Sequence, residues 1–211
     1  MVIAVLSDVH GNAKALSAVE ADIARCGADG VIFLGDLLFG GDAPQACFDI
    51  MRRMKPLVWL RGNTDEWLNE IGEDFVPKSD IERRCQADFL RQRPLMSDEA
   101  ASTVAALPEQ QRIKLGTYRL LCAHGSDRRI NEGIGIMTPR EELCAMAARM
   151  DADILLCGHT HSPFAASTDD GLILNAGSVG KPQHSLGPCY CVLWLGDTLE
   201  YGFRKLRGYA E

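Results

Sequence analysis

The sequence has no Cys-x-x-Cys pair, although it contains eight cysteines, at positions 26, 47, 85, 122, 144, 157, 189 and 191. Most fall inside apolar helix or strand patterns, where a free thiol behaves as a small hydrophobe. A zinc ribbon or a disulfide framework is therefore not expected. No apolar run approaches the roughly 20 residues needed to cross a bilayer. The start, MVIAVLSDVHGN, lacks the basic region and small-residue cleavage site of a signal peptide. The expectation is a soluble cytoplasmic protein with no membrane partner. A basic excess is missing too. The formal net charge of −7 argues against an extended nucleic-acid surface. It leaves phosphorylated substrates open, because bound divalent cations reverse the local sign. Repeats, charge blocks and linker-like stretches are absent, so residues 1–211 read as one domain.

What is present is an alternation of strand and helix signals. Residues 2–6, VIAVL, form a short apolar run. A helix pattern follows from about Asn12 to Cys26, with Leu16, Val19, Ile23 and Cys26 on one stripe and Asn12 as N-cap. Strands are expected at 31–34 (VIFL) and 57–60 (LVWL). Between them lies a helix from about Ala43, with Pro44 in its first turn and Cys47, Ile50, Met51 and Met54 on one face. This β-α-β-α-β order implies a parallel sheet with right-handed crossovers.

Residues 65–108 read as helical and irregular, with no evident core role, and are a candidate cover for the site. Beyond them, 112–115 and 118–123 flank a tight turn at Gly116 and Thr117. Thr138-Pro139-Arg140-Glu141 combines a capping box with proline at the first helical position. The helix it starts places Leu143, Met146, Ala147 and Met150 on one face. A strand at 153–157 and hairpins turning near Asp170 and Gly171 and near Gly196 and Asp197 complete the pattern. Parallel units followed by hairpins give an α/β fold, a four-layer α/β/β/α sandwich of two mixed sheets.

Polar residues gather where these strands end. Ser7-Asp8-Val9-His10-Gly11-Asn12, Gly35-Asp36, Gly62-Asn63, His124-Gly125 and Gly158-His159-Thr160-His161 each follow a strand. Open α/β sheets bind ligands there, and four of the five histidines fall in these loops. In the stretch CGHTH, the paired histidines are two ligands for one ion, one ligand for each of two ions, or plain loop residues. From an extended loop, side chains at i and i+2 can reach neighbouring points. Spacing alone leaves the three readings open.

The series Asp-x-His, Gly-Asp, Gly-Asn, His and Gly-His-x-His over residues 8–161, closed by NAGSVGKP at 175–182, resembles the calcineurin-like metallophosphoesterases. Within that superfamily it is most similar in pattern to the small bacterial and archaeal phosphodiesterase-like branch. The resemblance implies that Asp8, His10, Asp36 and His161 hold one metal ion. Asp36, Asn63, His124 and His159 would hold a second, with Asp36 bridging and the two histidines of CGHTH serving different ions. It also implies hydrolysis of phosphodiester or nucleotide-type phosphate bonds by a metal-bridging hydroxide. Asp36 and Asn63 would be central to catalysis, Asn63 by turning its amide NH2 toward a phosphate oxygen. Imidazole and carboxylate ligands suit Mn, Fe, Zn, Co or Ni better than Ca or Mg, with manganese the first expectation.

The implied partner is a phosphorylated small molecule or nucleotide. Asn12 and Arg128 are candidate substrate contacts, beside Arg61 and Arg129, and Trp67 is a candidate base-stacking residue. A dinucleoside polyphosphate hydrolase or a protein serine/threonine phosphatase is the alternative within the class. A non-catalytic scaffold of the same fold would be expected to lack ligands, yet all seven positions are filled. Two positions depart from the family pattern. Thr64 stands where many members carry a histidine that protonates the leaving oxygen, and Asp65, His184 or a metal-bound water are the candidate replacements. Gln183 stands where arginine often follows the proline of the closing motif.

Overall fold

In the computed structural model, which describes residues 1–72, 74–183 and 187–206, alternation along the first strand decides the layering. Side chains on a strand point to opposite faces in turn. Along β1 (Val2–Leu6), Ile3 and Val5 enter one core while Ala4 and Leu6 enter another. Both faces are therefore buried, as expected of a sheet covered on each side.

The chain continues through α1 (Ala13–Cys26), β2 (Gly30–Phe33), α2 (Pro44–Met54) and β3 (Val58–Trp59). Three helices follow: α3 (Trp67–Glu70), α4 (Asp80–Gln92) and α5 (Asp98–Ala105). The second half runs β4 (Gln110–Leu115), β5 (Tyr118–Ala123), α6 (Arg140–Arg149), β6 (Ile154–Cys157), β7 (Phe164–Ser167), β8 (Leu172–Asn175), β9 (Cys189–Leu195) and β10 (Leu199–Lys205). One five-stranded sheet has the order β10-β9-β1-β2-β3 and the other β4-β5-β6-β8-β7. The inner strands β1, β2, β3 and β5, β6, β8 are parallel within their sheets, and the hairpin strands add antiparallel edges.

Ile3, Val5, Ile32 and Leu34 from one sheet meet Leu120, Leu156 and Leu174 from the other in a shared core. Outside the first sheet, Leu6 and Phe33 pack on Leu16, Val19, Phe48 and Met51 of α1 and α2. Outside the second, Leu121 and Leu155 pack on Leu143 and Met146 of α6. The layers are the expected α/β/β/α. Asn12 caps α1 by accepting from Ala15 N–H at 3.0 Å, and Gly27 ends it in the left-handed conformation, φ 67°.

Two local expectations change. The 65–108 segment belongs to the core: Phe89, Met96, Ala100 and Val104 pack with Phe39 and the helices of the first sheet. At α6, Pro139 is the N-cap and makes no side-chain capping bond; Thr138 Oγ1 instead accepts from Gly135 N–H at 3.0 Å. The hydroxyl therefore closes a turn in the preceding loop, a competing use common for threonine. All eight cysteines are unpaired thiols, and burial pushes the Cys122 thiol up to about 12. Among the described residues no helix is long and apolar enough to cross a membrane.

A partly buried ion pair fastens the late hairpin to the first helix. Asp22 of α1 is buried and accepts from Tyr190 Oη at 2.8 Å and from Arg204 Nε and Nη2 at 2.7 and 3.1 Å. The Arg204 guanidinium first, and Tyr190 and Arg25 after it, outweigh burial and hold the Asp22 carboxyl far below its ordinary range. A depressed folded pKa contributes stability above the unfolded value and loses it as pH falls through the folded one. Asp22→Ala should therefore cost about 1.5–3 kcal/mol at pH 7, the range for hydrogen bonds to a charged group, because the Arg204 side chain left behind is 42% exposed and keeps its water. Urea melts of both proteins should show the gap narrowing below about pH 4, the ordinary carboxylate range. A gap constant from pH 7 to pH 2.5 would contradict the assignment.

Candidate metal centre

The parallel strands of both sheets end at one place, and their loops are tied together before any side chain is considered. Asp8 N–H donates to Gly35 O at 3.0 Å and His10 N–H to Asp36 O at 2.9 Å, joining the loops after β1 and β2. Gly158 N–H donates to His124 O at 2.8 Å, joining the loops after β5 and β6. Close approach there depends on missing side chains. A Cβ at Gly62 would collide with Asp36, and one at Gly158 would collide with Ser7 Oγ and lie 2.7 Å from Asp8 Oδ2. Both positions need glycine for space rather than for flexibility.

All seven candidate ligands converge at this junction. His10 Nε2 lies 3.0 Å from His161 Nε2, and His161 Nε2 lies 3.2 Å from Asp8 Oδ1. Asp36 Oδ2 lies 3.5 Å from His10 Nε2 and also 3.5 Å from His124 Nε2. Asn63 Oδ1 is 3.0 Å from His124 Nε2, and the His159 ring stands edge-on to that of His124 with centroids 5.3 Å apart. Asp8, His10 and His161 form one set of potential ligand atoms within 4.8 Å of one another; Asp8, Asp36 and His124 form a second.

Three of the imidazoles are oriented by backbone carbonyls. His10 Nδ1 faces Phe39 O at 2.7 Å, His124 Nδ1 faces Leu34 O at 2.9 Å, and His161 Nδ1 faces Lys181 O at 2.8 Å. Each Nδ1 must donate, because a carbonyl only accepts. In the neutral rings each Nε2 is then a lone pair aimed inward. His10 and His161 thus confront each other as two acceptors, and so do His124 Nε2 and Asn63 Oδ1. The carboxylates divide their oxygens in the same way. Asp8 Oδ2 accepts from His159 N–H at 3.0 Å and Asp36 Oδ1 from Thr64 N–H at 2.8 Å. Asp8 Oδ1 is buried without a hydrogen-bond partner.

Such a set of acceptors requires positive charge between its members, from protons or from cations. Burial disfavours charge on His10, but the nearby carboxylates of Asp8, at 3.6 Å, and Asp36, at 3.5 Å, raise its pKa. Burial opposes ionisation of Asp8 as well, yet its contacts with His10 and His161 hold the carboxyl well below its usual value. Imidazoles fixed through Nδ1 and carboxylates with one inward oxygen are the pattern of divalent transition-metal sites. The residues fit the implied ions.

Five of the seven non-glycine residues with positive φ among the described residues are Asp8, His10, Asp36, His159 and His161. Non-glycine left-handed backbone costs roughly 1–3 kcal/mol per residue and clusters at functional sites. The closing motif NAGSVGKP, visible in the sequence without a role for its members, holds this geometry. Asn175 Nδ2 donates to Gly158 O at 2.6 Å and Thr160 Oγ1 at 2.9 Å, and Ser178 Oγ donates to Asp8 O at 2.8 Å. The closing motif is a brace across both loops.

Asp65, a candidate proton donor by sequence, is fully buried and accepts from the N–H groups of Leu37, Leu38 and Gly62. Burial and the neighbouring Asp36 charge push its carboxyl up to about 6. It positions the Asp36 loop. His184 lies outside the described residues.

The candidate substrate contacts are placed unevenly. Asn12 is both the cap of α1 and a donor to Gly180 O at 3.2 Å. Arg128 pairs with Glu132 and Glu142 while lining a cleft of about 500 Å³ that also contains Thr160, Ile136 and Met137. Arg61 is held by Glu66, Glu109 and Leu107 O. Trp67 packs on Phe39, ring centroids 5.4 Å apart.

Gly158→Ala should weaken manganese binding about 10–100-fold, the usual effect of disturbing the groups that support ligands, while the protein remains folded. Isothermal calorimetry with Mn²⁺ on metal-stripped protein tests this. Unchanged affinity would show that the close approach does not matter.

A family model described as the calcineurin-like phosphoesterase superfamily domain matches residues 1–198. The phosphodiesterase YfcE of Escherichia coli strain K12 is 24% identical, over 84% of this chain and 78% of its own. A metallophosphoesterase from Sphaerobacter thermophilus superposes with a TM-score of 0.78 at 22% identity, covering 98% of this chain and 88% of that one. The hypothetical protein PH1004 from Pyrococcus horikoshii OT3 does so with a TM-score of 0.85 at 19% identity, covering 97% and 87%. The structural likenesses show the fold, and the family model, spanning nearly the whole chain, shows the family. With acceptor-lined loops of the kind that bind metal at its strand ends, the chain belongs to the calcineurin-like phosphoesterase superfamily and is a metal-dependent phosphoric ester hydrolase.

Proposed function

We propose that the protein hydrolyses phosphodiesters or nucleotide-type phosphate bonds at a pair of divalent transition-metal ions, manganese foremost. Asp8, His10, Asp36 and His161 hold one ion, and Asp36, Asn63, His124 and His159 the other. The observation that carries this reading is the place of Asp36 Oδ2, 3.5 Å from both His10 Nε2 and His124 Nε2. One carboxylate oxygen between two imidazole lone pairs suits a bridging ligand. When bound, such ions lower the pKa of a water and neutralise phosphoryl oxygens.

The chain's own part is positioning. Carbonyl-anchored imidazoles keep their lone pairs inward, so little reorganisation is left for the reaction. Asn63 Oδ1 faces the centre beside His124, which leaves its NH2 group as a donor to a phosphoryl oxygen. Thr64 Oγ1 is buried without a hydrogen-bond partner, and a threonine hydroxyl is too weak an acid to replace an imidazolium. Asp65 is committed to backbone N–H groups. Among the described residues no side chain next to Asn63 is placed to protonate a leaving oxygen. The reading therefore favours leaving groups that depart as weakly basic anions, such as aryloxides and phosphates. The eight free thiols suit a reducing cytoplasm, which we take as the location.

Turnover of bis(p-nitrophenyl) phosphate, p-nitrophenyl phosphate, a dinucleoside tetraphosphate and a phosphoserine peptide, with Mn²⁺ added, tests the class. Diester or anhydride cleavage is expected to lead, and a lead for the peptide would favour a protein phosphatase instead. Asp36→Asn should lower kcat by more than about 100-fold, beyond the range for supporting residues, and reduce manganese stoichiometry measured on the same sample. Activity near wild type would contradict the bridging role. Thr64→His should raise turnover of an alkyl monoester such as glycerol phosphate by about 10-fold or more, part of the roughly 10²–10⁴-fold that a well-placed general acid contributes. No rise would show that leaving-group protonation is not limiting.

A further inference from the structure

A cleft of about 610 Å³ opens on the His10 side of the centre, a volume within the range of small-molecule sites. His10, Asn12, Lys14, Gly40, Arg91 and Lys181 line it, and among the described residues Asp42 is the one acid in its walls. In a chain of net charge −7, three cations on one small cleft are a local reversal of sign. They come from separate parts of the fold: Lys14 from α1, Arg91 from α4 and Lys181 from the closing motif.

Lys181 is the most informative of the three. Its N–H donates to Ser178 Oγ at 2.8 Å and its carbonyl receives His161 Nδ1 at 2.8 Å, so its backbone is fixed to the metal loops. Its side chain then lies over Gly40. A Cβ at Gly40 would collide with Lys181 Nζ and would lie 3.0 Å from His10 Cβ. The missing side chain at Gly40, where φ is 133°, thus makes room for an ammonium beside a candidate metal ligand. Among the described residues Lys181 has no carboxylate partner. Among the described residues Arg91 pairs only within its own helix, with Asp88 at 3.2 Å and both side chains more than half exposed, an interaction worth little. Gly40 N–H also donates to the buried Gln92 Oε1 at 2.7 Å, which registers the end of α4, and Arg91 with it, against the cleft.

We propose that this cleft binds a second phosphoryl group of the substrate, so that preferred substrates carry two or more phosphoryl groups in a row. Cleavage would occur at the metal centre while Lys181 holds the neighbouring phosphoryl and Arg91 lies on the outer wall. The inference rests on the phosphoesterase reading above and narrows its substrate class to phosphoanhydrides of the nucleoside polyphosphate type. Ammonium and guanidinium groups are the usual partners of such oxyanions.

The test compares manganese-loaded wild type, Lys181→Met and Lys181→Arg on a dinucleoside tetraphosphate and on bis(p-nitrophenyl) phosphate. Lys181→Met should lower kcat/KM for the tetraphosphate at least about 10-fold more than for the diester, mostly through KM, and Lys181→Arg should recover most of the loss. A tenfold change corresponds to about 1.4 kcal/mol, in the range of a charge-assisted hydrogen bond. Equal losses on both substrates would reduce Lys181 to a support for His161 and overturn the proposal, and so would no loss on either. Lys181-dependent inhibition by inorganic phosphate without any tetraphosphate preference would also overturn it, by making the cleft a site for the free anion.

Binding measured by calorimetry separates this inference from the catalytic one. Wild type should bind the α,β-methylene analogue of ADP at least about 10-fold more tightly than AMP, and Lys181→Met should lose that difference. Equal affinities in wild type would overturn the second-phosphoryl site even if diesters are cleaved. A Lys181-dependent preference in a protein that cleaves no phosphoester would support the site and sink the catalytic reading alone.

Discussion

The structure turns on a repulsion. Asp8 Oδ1, Asp36 Oδ2, Asn63 Oδ1 and three imidazole Nε2 atoms all point into one small volume. None of these atoms can satisfy another without a proton or a cation between them, and the interior offers little water to screen them. A fold that assembles such a group must hold it by other forces. The surrounding geometry makes sense as the means of doing so.

The first means is the pair of sheets. Their parallel strands end side by side, and the shared core of Ile3, Val5, Leu34, Leu156 and Leu174 fixes the strand ends before the loops begin. The second is a hydrogen-bonded lacework among the loops. Backbone bonds join Asp8 to Gly35 and Gly158 to His124, while the buried Asn175 and Ser178 clasp the loops. The third is strain. Left-handed backbone at Asp8, His10, Asp36, His159 and His161 turns each side chain inward, at a cost in stability that the packed layers offset. Bound cations would relieve the repulsion and stabilise the folded state by mass action, so metal content and stability should be read together in this protein.

Legibility from sequence followed the range of the interaction concerned. The ligand residues sit directly after short apolar runs, so their arrival at strand ends could be read from local pattern, as could α1 from its Asn12 cap and apolar stripe. The bracing roles of Asp65, Asn175 and Gln92 were opaque because their partners are distant or backbone. Asp65 reads as a candidate proton donor until Leu37 and Leu38 N–H groups arrive at it from another loop. Gln92 looks like one more polar residue on a charged helix until Gly40 N–H arrives from 52 positions away. The 65–108 region hid its core role for a related reason. Only Phe89 and Gln92 of α4 are buried, too few for an apolar stripe to show above the charged residues. At α6 a plausible capping box lost to a competing local bond, Thr138 closing a turn with Gly135, and short-range rules do not rank those two outcomes.

The replacement of an imidazole by Thr64 links the site's support to its chemistry. Asp65, the nearest acid in sequence, is spent on three backbone N–H groups, and those bonds hold the loop that carries Asp36. Releasing Asp65 to act as a proton donor would loosen the residue placed between the two halves of the site. One carboxyl cannot brace Asp36 and protonate a leaving group in the same turnover. A centre built this way suits reactions whose leaving group needs no proton, and phosphate departing from an anhydride is such a group. The lysine lying over Gly40, beside the same centre, stands where the charge of a neighbouring phosphoryl could be met. The missing acid at Thr64 and the cation over Gly40 thus fit one electrostatic preference: positive charge held by the protein does for an anionic leaving group what a proton would do for an alkoxide.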